Sequence, residues 1–359
     1  YTELHADNSR EYHPRPTHTS GSTGTPTEFL LDRVSNVVHF ASIWRVLNWT
    51  GYRFGNRFAD LTGYLPKDGG LFQFDPRLNC IHLSSFNFKK ENMELYVEKL
   101  EKFHPVLIKA YPSAIDLFVR WLKELGLKGY KPKAVLTCAE TLLDHQKKVV
   151  EEVLGCPVFD FYNQNERAAL ISTCEQGTYH VHEEYSLAEF VGEANAPSAG
   201  GDIKSIVATT FHNFAMPLIR YQTNDLASVN GPPTCACGRT YKTVARIIGR
   251  VEDIVVTPDG RHVGRLDAAF KYSPGIRLSQ IVQETPNEIA VNIVKAESFS
   301  QRDIDTIESE LRARLGNDIG IRFEYVDAIL PGENGKLKFV MSKPGRAALA
   351  GLHQNGRPA

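Results

Sequence analysis

The sequence predicts an α/β protein in two unequal parts: a large N-terminal domain of mixed sheets and helices, then a small C-terminal α+β domain. Three observations carry this. Short apolar runs alternate with amphipathic stretches between residues 92 and 208, the alternation that builds a partly parallel sheet. Beyond Gly249 the pattern changes to strands around one well-capped helix. The 359 residues, 42% hydrophobic and 23% charged, suffice for a large core and two domains.

Taken in order, Asn92 to Phe103 and Ser113 to Leu125 carry apolar residues at helical spacing, each beside a capping-type residue. The runs 134–137, 158–161 and 205–208 read as short buried strands separated by helices. Turn residues Gly231, Pro232, Pro233 and Gly238 surround two close cysteines. After the junction, residues 253–256 read as a strand, Pro258-Asp-Gly260 as a turn, and strands follow near 279–283 and 289–294. Ser300, with Asp303 three residues on, opens a helix whose buried stripe is Ile304, Ile307, Leu311 and Leu315, and Gly316 ends it. Residues 321–326 return as a strand.

Chemistry concentrates first in Thr17-His-Thr-Ser-Gly-Ser-Thr-Gly-Thr-Pro-Thr27. Glycine lets backbone N–H groups turn toward an anion, and the hydroxyls of Ser20, Ser22 and Thr23 add donors, so the stretch suits a polyphosphate. The same composition also fills ordinary surface turns. It is no Walker A loop, because Thr25-Pro26-Thr27 follows Gly24 where that motif requires lysine. Cys235 and Cys237, one residue apart, are placed to share a metal. With Cys174 and His180 they make a three-sulfur, one-nitrogen set that suits a closed, structural Zn²⁺ site, and His182 on the same short strand rivals His180. Cys80, Cys138 and Cys156 stand alone and read as small core residues.

Four further segments complete an ordered set: Phe161-Tyr-Asn-Gln-Asn-Glu166, Pro217-Leu-Ile-Arg-Tyr-Gln-Thr-Asn-Asp225, Ile248-Gly-Arg-Val-Glu-Asp253 and Asn334-Gly-Lys336. With the Thr19-to-Pro26 stretch at its head, this set resembles the acyl-adenylate-forming superfamily of acyl- and aryl-CoA ligases, peptide-synthetase adenylation domains and luciferases. Within it the chain is most similar to phenylacetate-CoA ligase-like proteins, particularly the branch often encoded with capsular polysaccharide genes. Supporting segments are Tyr111-Pro-Ser-Ala114, Glu140-Thr-Leu142, Tyr179-His-Val-His-Glu183 and Cys235-Ala-Cys-Gly-Arg239. Similar Cys and His positions occur in that group, which strengthens the Zn²⁺ reading.

The resemblance implies ATP-dependent activation of a carboxylic acid, aryl or small, to an acyl-adenylate with release of pyrophosphate. Transfer follows to a thiol such as CoA, or to an amine, a sugar hydroxyl or a carrier protein. Ser20, Gly21, Ser22, Thr23 and Gly24 would hold the departing phosphates and Glu166 would hold Mg²⁺, for which a hard carboxylate oxygen is suited. Tyr162 would lie against the adenine, Asp225 on the ribose hydroxyls and Arg250 on ribose or phosphate, with Glu140 also at the nucleotide. Lys336 would bridge the incoming carboxylate and the α-phosphate as a point charge. Phe86, Tyr111, Ser113 and Asn163 would line the acyl pocket. Glu252 would be the hinge, which places the large domain at residues 1–249, the hinge at 250–252, the small domain at 253–345 and a tail at 346–359. The chain opens at Tyr1, and the N-terminal part of the large domain is expected to be incomplete. Two departures from the family pattern stand out: Asn224 where glycine is general before the aspartate, and Asn163 where glycine usually follows the tyrosine.

A formal net charge of −1 provides no global basic field for nucleic acid or anionic membrane. No apolar run approaches the ~20 residues that span a bilayer. Six cysteines without a secretion signal read as reduced thiols, so the expected location is cytoplasmic. A non-catalytic, zinc-stabilised binding module is the alternative of a different class; it would dispense with Lys336 or Glu166, and both are present.

Overall fold

The structure is a computed structural model. It describes residues 4–18, 28–62, 64, 70–88, 90–192, 203–250, 255–260, 262–263, 266–270, 273, 275–330 and 337–344. In chain order, β1 (Arg15–His18) and β2 (Glu28–Leu31) pair antiparallel and lead into α1 (Arg33–Trp49). Then come β3 (Phe58–Leu61), β4 (Phe72–Asp75), β5 (Cys80–Leu83), α2 (Met93–Phe103), β6 (Leu107–Ala110), α3 (Pro112–Glu124), β7 (Ala134–Cys138), α4 (Asp144–Leu154) and β8 (Val158–Asn163). β9 (Leu170–Thr173), β10 (Tyr179–Val181), β11 (Ser186–Val191), β12 (Ile203–Thr210), β13 (Tyr221–Ser228), β14 (Thr243–Val244) and β15 (Arg246–Arg250) follow. The C-terminal part contains β16 (Val255–Val256), β17 (His262–Val263), β18 (Ile276–Thr285), β19 (Glu288–Lys295), α5 (Gln301–Leu315), β20 (Gly320–Tyr325) and β21 (Val340–Ser342).

The largest sheet has the order β14-β10-β9-β8-β7-β6-β3-β5-β4. Its middle, β5, β3, β6, β7 and β8, is parallel, and the outer strands are antiparallel. Both faces are covered, which is why these strands are apolar runs and not alternating ones. Ala59, Leu61, Ile81, Ile108 and Val135 face α2, α3 and α4. Phe58, Leu107, Leu136, Phe159 and Phe161 face the side of α1. A four-stranded sheet, β11-β12-β13-β15, packs through Ile206, Ala208 and Ala227 on β9 and β10.

The C-terminal sheet, β20-β19-β18-β21, buries Ile281, Ile289, Val291 and Ile293 against Ile304, Ile307, Leu311 and Leu315 of α5. These are the stripe residues expected of that helix. The Asp303 carboxylate accepts from Ser300 N at 2.9 Å and closes its first turn, and Gly316 ends it. The N-termini of α2 and α3 differ from expectation. Asn92 makes no side-chain cap, and α3 begins at Pro112 in the first helical position, where a missing N–H costs nothing. The isolated cysteines 80, 138 and 156 are all buried.

The two parts touch through a polar seam. Arg277 of β18 donates to both Glu124 carboxylate oxygens, at 2.6 and 2.7 Å, while its guanidinium lies over the Trp121 ring at 4.2 Å. Arg120 of α3 donates to the Ile276 carbonyl at 3.3 Å. No helix among the described residues is long and apolar enough to cross a membrane.

Candidate functional site

Parallel β6, β7 and β8 end at one edge of the large sheet, and ligands of open α/β sheets bind outside such carboxyl ends. Tyr111, Glu140 and Tyr162 stand there. Tyr111 takes extended backbone to start α3. A left-handed turn at Ala139 (φ 66°) directs the chain out of β7 toward Glu140. The Glu140 carboxylate accepts from Ser113 N at 2.9 Å, from Ser113 Oγ at 3.0 Å and from Leu337 N at 2.8 Å. Leu337 is bonded to Lys336, so this one side chain joins the start of α3 to the segment that carries the expected catalytic lysine.

A second group gathers where β8 faces β13. The Tyr162 hydroxyl donates to Asp225 Oδ2 at 2.7 Å and accepts from the Gln164 amide. Burial, and then the charge of Asp225, pushes its phenol well above the ordinary value. Glu166 Oε1 accepts from the Tyr221 hydroxyl at 2.9 Å, and Glu166 is 9% exposed. Arg167 fixes the loop by donating to Ser35 Oγ and Asn36 Oδ1 in the first turn of α1. Asp225 pairs in register with Arg250 across β13 and β15. The backbone of Asn224 has φ 61°, the left-handed region that glycine enters without strain and asparagine tolerates best among the rest. The departure from the family glycine therefore preserves the turn that presents Asp225.

The third group is the cysteine set. A turn closed by Gly177 N→Cys174 O places Cys174 at the end of β9, and His180 is the middle residue of β10. The segment 235–238 turns through Gly238 (φ 76°), and its chain returns to pair Thr243 with His180. Gly231 makes this return possible, because a Cβ there would meet the Val244 carbonyl carbon at 2.7 Å. Cys174 Sγ lies 3.6 Å from Cys235 Sγ, and Cys237 Sγ lies 3.4 Å from His180 Nε2. All four ligand atoms fall within 4.8 Å of one another. Bond lengths of ~2.3 Å to sulfur and ~2.0 Å to nitrogen give tetrahedral edges of about 3.8 Å for S···S and about 3.5 Å for S···N. Those two separations match the edges of a tetrahedral zinc site, and the other ligand atoms lie within 4.8 Å. Burial raises the Cys235 thiol, but hydrogen bonds with Thr178, Cys237 and His180 outweigh it and bring the thiol down to about 6, toward the thiolate a metal needs. His182 is otherwise engaged: Nδ1 lies 2.8 Å from Arg45 Nη2 and Nε2 2.7 Å from Ser172 Oγ. Burial, then Arg45, lowers it to about 3 and keeps it neutral.

Tyr162, Glu166 and Asp225 are thus brought together, as are Tyr111, Ser113 and Glu140, with half-buried Asn163 ending β8. The expected residues Ser20 to Gly24, Glu252 and Lys336 lie outside the described residues, and for Phe86 and Arg250 the backbone alone is described. Tyr221, the partner of Glu166, was not singled out from sequence; the signal was its place four residues before Asp225.

Residues 255–343 match the family described as the CapK C-terminal domain. The chain is 25% identical over 276 residues to Protein CapK of Staphylococcus aureus, a match covering 76% of this chain and 60% of that protein. It is 28% identical over 248 residues to phenylacetate-coenzyme A ligase of Thermus thermophilus, covering 66% of this chain and 54% of the ligase. The matched stretch is thus little more than half of each relative. Among solved structures, 2-hydroxyisobutyryl-CoA ligase in the postadenylation state superposes with a TM-score of 0.66 at 19% identity, covering 95% of this chain and 76% of that one. The anthranilate CoA ligase AuaEII gives 0.62 at 15% identity, covering 94% and 66%. Both structural likenesses concern the fold. The fold is that of the adenylate-forming ligases, and the sequence is similar to CapK and to the phenylacetate-CoA ligases.

Proposed function

We propose that this protein activates a carboxylic acid with ATP and passes the acyl group to a thiol, for which CoA is the first choice. The observation that carries the reading is the Glu140 carboxylate held between Ser113 and Leu337, beside the Tyr162–Asp225 and Glu166–Tyr221 pairs. In the first half-reaction a carboxylate oxygen bonds to the α-phosphorus, the α–β phosphoanhydride breaks, and pyrophosphate leaves. In the second the thiolate bonds to the acyl carbon and AMP leaves.

Tyr162 and Asp225, already bonded to each other, suit the adenosine face and its ribose hydroxyls. Arg250, in register with Asp225, reaches ribose or phosphate, and Ser20 to Gly24 hold the β- and γ-phosphates. Lys336 supplies the positive charge at the α-phosphate, which is electrostatic stabilisation where charge develops. Glu140 acts as a positioning residue for the segment that follows this lysine. Glu166, buried with one oxygen on Tyr221, would hold Mg²⁺, which when bound neutralises phosphate charge. Phe86, Tyr111, Ser113 and Asn163 line the acyl pocket. Cys174, His180, Cys235 and Cys237 would hold one structural Zn²⁺. Domain boundaries at 249 and 253, with Glu252 as hinge, let the small domain alternate between half-reactions, a gating motion of the kind hinges support.

The test is acid-dependent ATP–pyrophosphate exchange over a panel of aryl, aliphatic and amino acids, followed by acyl transfer to CoA. Exchange with at least one acid is expected. A chain that binds ATP yet exchanges with none overturns the adenylation reading.

A further inference from the structure

Outside the groups above, three neighbouring parallel strands place polar side chains on one face of the large sheet: Asp60 on β3, His82 on β5 and Lys109 on β6. The register pairs Asp60 with both His82 and Lys109. Their face is otherwise apolar, with Phe58, Leu107, Leu136 and Phe159. An ammonium, a carboxylate and an imidazole in such surroundings are costly unless matched.

Their charges match, since Lys109 and Asp60 form an ion pair, but their hydrogen bonds do not. Lys109 Nζ lies 3.7 Å and His82 Nδ1 3.9 Å from the same oxygen, Asp60 Oδ2, both beyond hydrogen-bond length. Asp60 Oδ1 is occupied by Thr62, through its N–H at 3.0 Å and its hydroxyl. His82 Nδ1 is buried and has no hydrogen-bond partner among the described residues. The Tyr64 ring stacks on His82 at 4.3 Å and closes one side. Two nitrogens thus converge on one carboxylate oxygen without hydrogen-bonding it, and a hydroxyl placed beside them, not between them, can reach both a nitrogen and that oxygen.

Cys80 lies close enough to make Asp60, Cys80 and His82 a possible metal set. Lys109 argues against it, since a cation there would face an ammonium already beside the carboxylate. Burial and then Asp60 push the Cys80 thiol upward, away from the thiolate a metal requires.

Lys109 stands in β6 two residues before Tyr111, the residue that follows the strand and opens α3. The Tyr111 phenol, raised to about 12 by burial first, also feels Cys138, Lys109, Glu140 and Asp60, and Tyr111 opens the helix whose Ser113 is bonded to Glu140. We infer that Asp60, His82 and Lys109 form the far end of the acyl pocket and select an acid that carries a neutral hydroxyl group. The inference rests on the adenylation reading. A hydroxyl oxygen can accept from Lys109 Nζ and donate to Asp60 Oδ2 or His82 Nδ1. The trio already balances one positive and one negative charge, so a second carboxylate or an ammonium on the substrate would leave a charge uncompensated.

The experiment is pyrophosphate exchange by the full chain with pairs of acids that differ by one hydroxyl. A preference of about 100-fold or more in kcat/KM for some hydroxylated member is expected, because a site built to bond a hydroxyl leaves its own groups unpaired without one. Lys109→Met should reduce that ratio to below about 10-fold, by losing activity on the hydroxylated acid more than on its partner. A merely structural role would lower both alike. His82→Phe makes the same comparison if Lys109→Met does not fold. Equal rates within every pair, or an unchanged ratio in the variants, overturns this proposal while adenylation stands. Absence of exchange with every acid overturns the adenylation reading and this one with it. A second zinc equivalent that Cys80→Ser removes would also overturn it.

Discussion

Replacing Cys235 and Cys237 together by serine should remove one zinc ion per chain and lower thermal stability by about 5 °C. The size follows from the geometry. Two of the ligand-atom separations, Cys174–Cys235 and Cys237–His180, already lie within about 0.2 Å of tetrahedral edges. What disappears is a cross-link between Cys174 and Cys235, 61 residues apart. Treated as a closed loop of that length, it is worth about 4 kcal/mol of chain entropy. Unfolding entropy of roughly 2.1 cal/mol/K per residue gives about 0.75 kcal/mol/K for the whole chain, so 4 kcal/mol becomes about 5 °C. The assay is elemental analysis of purified protein alongside thermal melts with and without a strong chelator. Wild-type protein without zinc would refute the site. Wild type holding zinc while the double variant melts at the same temperature would refute the coupling.

Lys336→Ala should reduce acid-dependent pyrophosphate exchange by about 10²- to 10³-fold, the usual loss when one transition-state donor is removed, with ATP binding by calorimetry preserved. Glu166→Gln keeps an acceptor for the Tyr221 hydroxyl but loses the charge, so half-maximal activity should need at least about tenfold more Mg²⁺ in a titration. His39 sets part of the acid sensitivity. Burial, then Arg167, lowers it from 6.5 to about 4, so the folded chain resists a proton that the unfolded chain accepts. Its contribution is complete above pH 6.5 and is lost as pH falls toward 4, amounting to about 3 kcal/mol. In denaturant melts between pH 7 and 4, His39→Gln should therefore show a shallower fall than wild type.

Helices with a single apolar stripe were legible in the sequence. The stripe of α5 and the buried face of α3, from Ile115 through Phe118, Val119 and Leu122, follow the 3.6-residue period. Helix α1 was not legible, because apolar residues surround it: Val46 is buried while Val37 and Phe40 are exposed, and no period survives. Strands β3, β4 and β5 escaped for another reason. Asp60, Gln73 with Asp75, and His82 interrupt their apolar runs, and only their neighbours make them strands.

At the site, ligand types showed in the sequence but their geometry did not. Nothing local separates His180 from His182. The choice is made by Arg45 on α1 and Ser172 on β9, which take both nitrogens of His182. The Asp60–His82–Lys109 trio was invisible for the same reason, since it exists only once three strands are laid side by side.

The segment that carries Cys235 and Cys237 also guards an edge. Thr243 and Val244 cover the outer side of β10, the last long-range rung at that end of the nine-stranded sheet, and after Ala245 the same chain becomes β15 at the border of the other sheet. A two-residue strand holds poorly by itself, and an uncovered β10 would present free N–H and C=O groups to another molecule. Thiol oxidation in this turn would thus act first on solubility. Damaged protein would pair edge to edge and precipitate while Tyr162, Glu166 and Asp225 were still in place, so turbidity should rise before activity in the remaining soluble fraction declines.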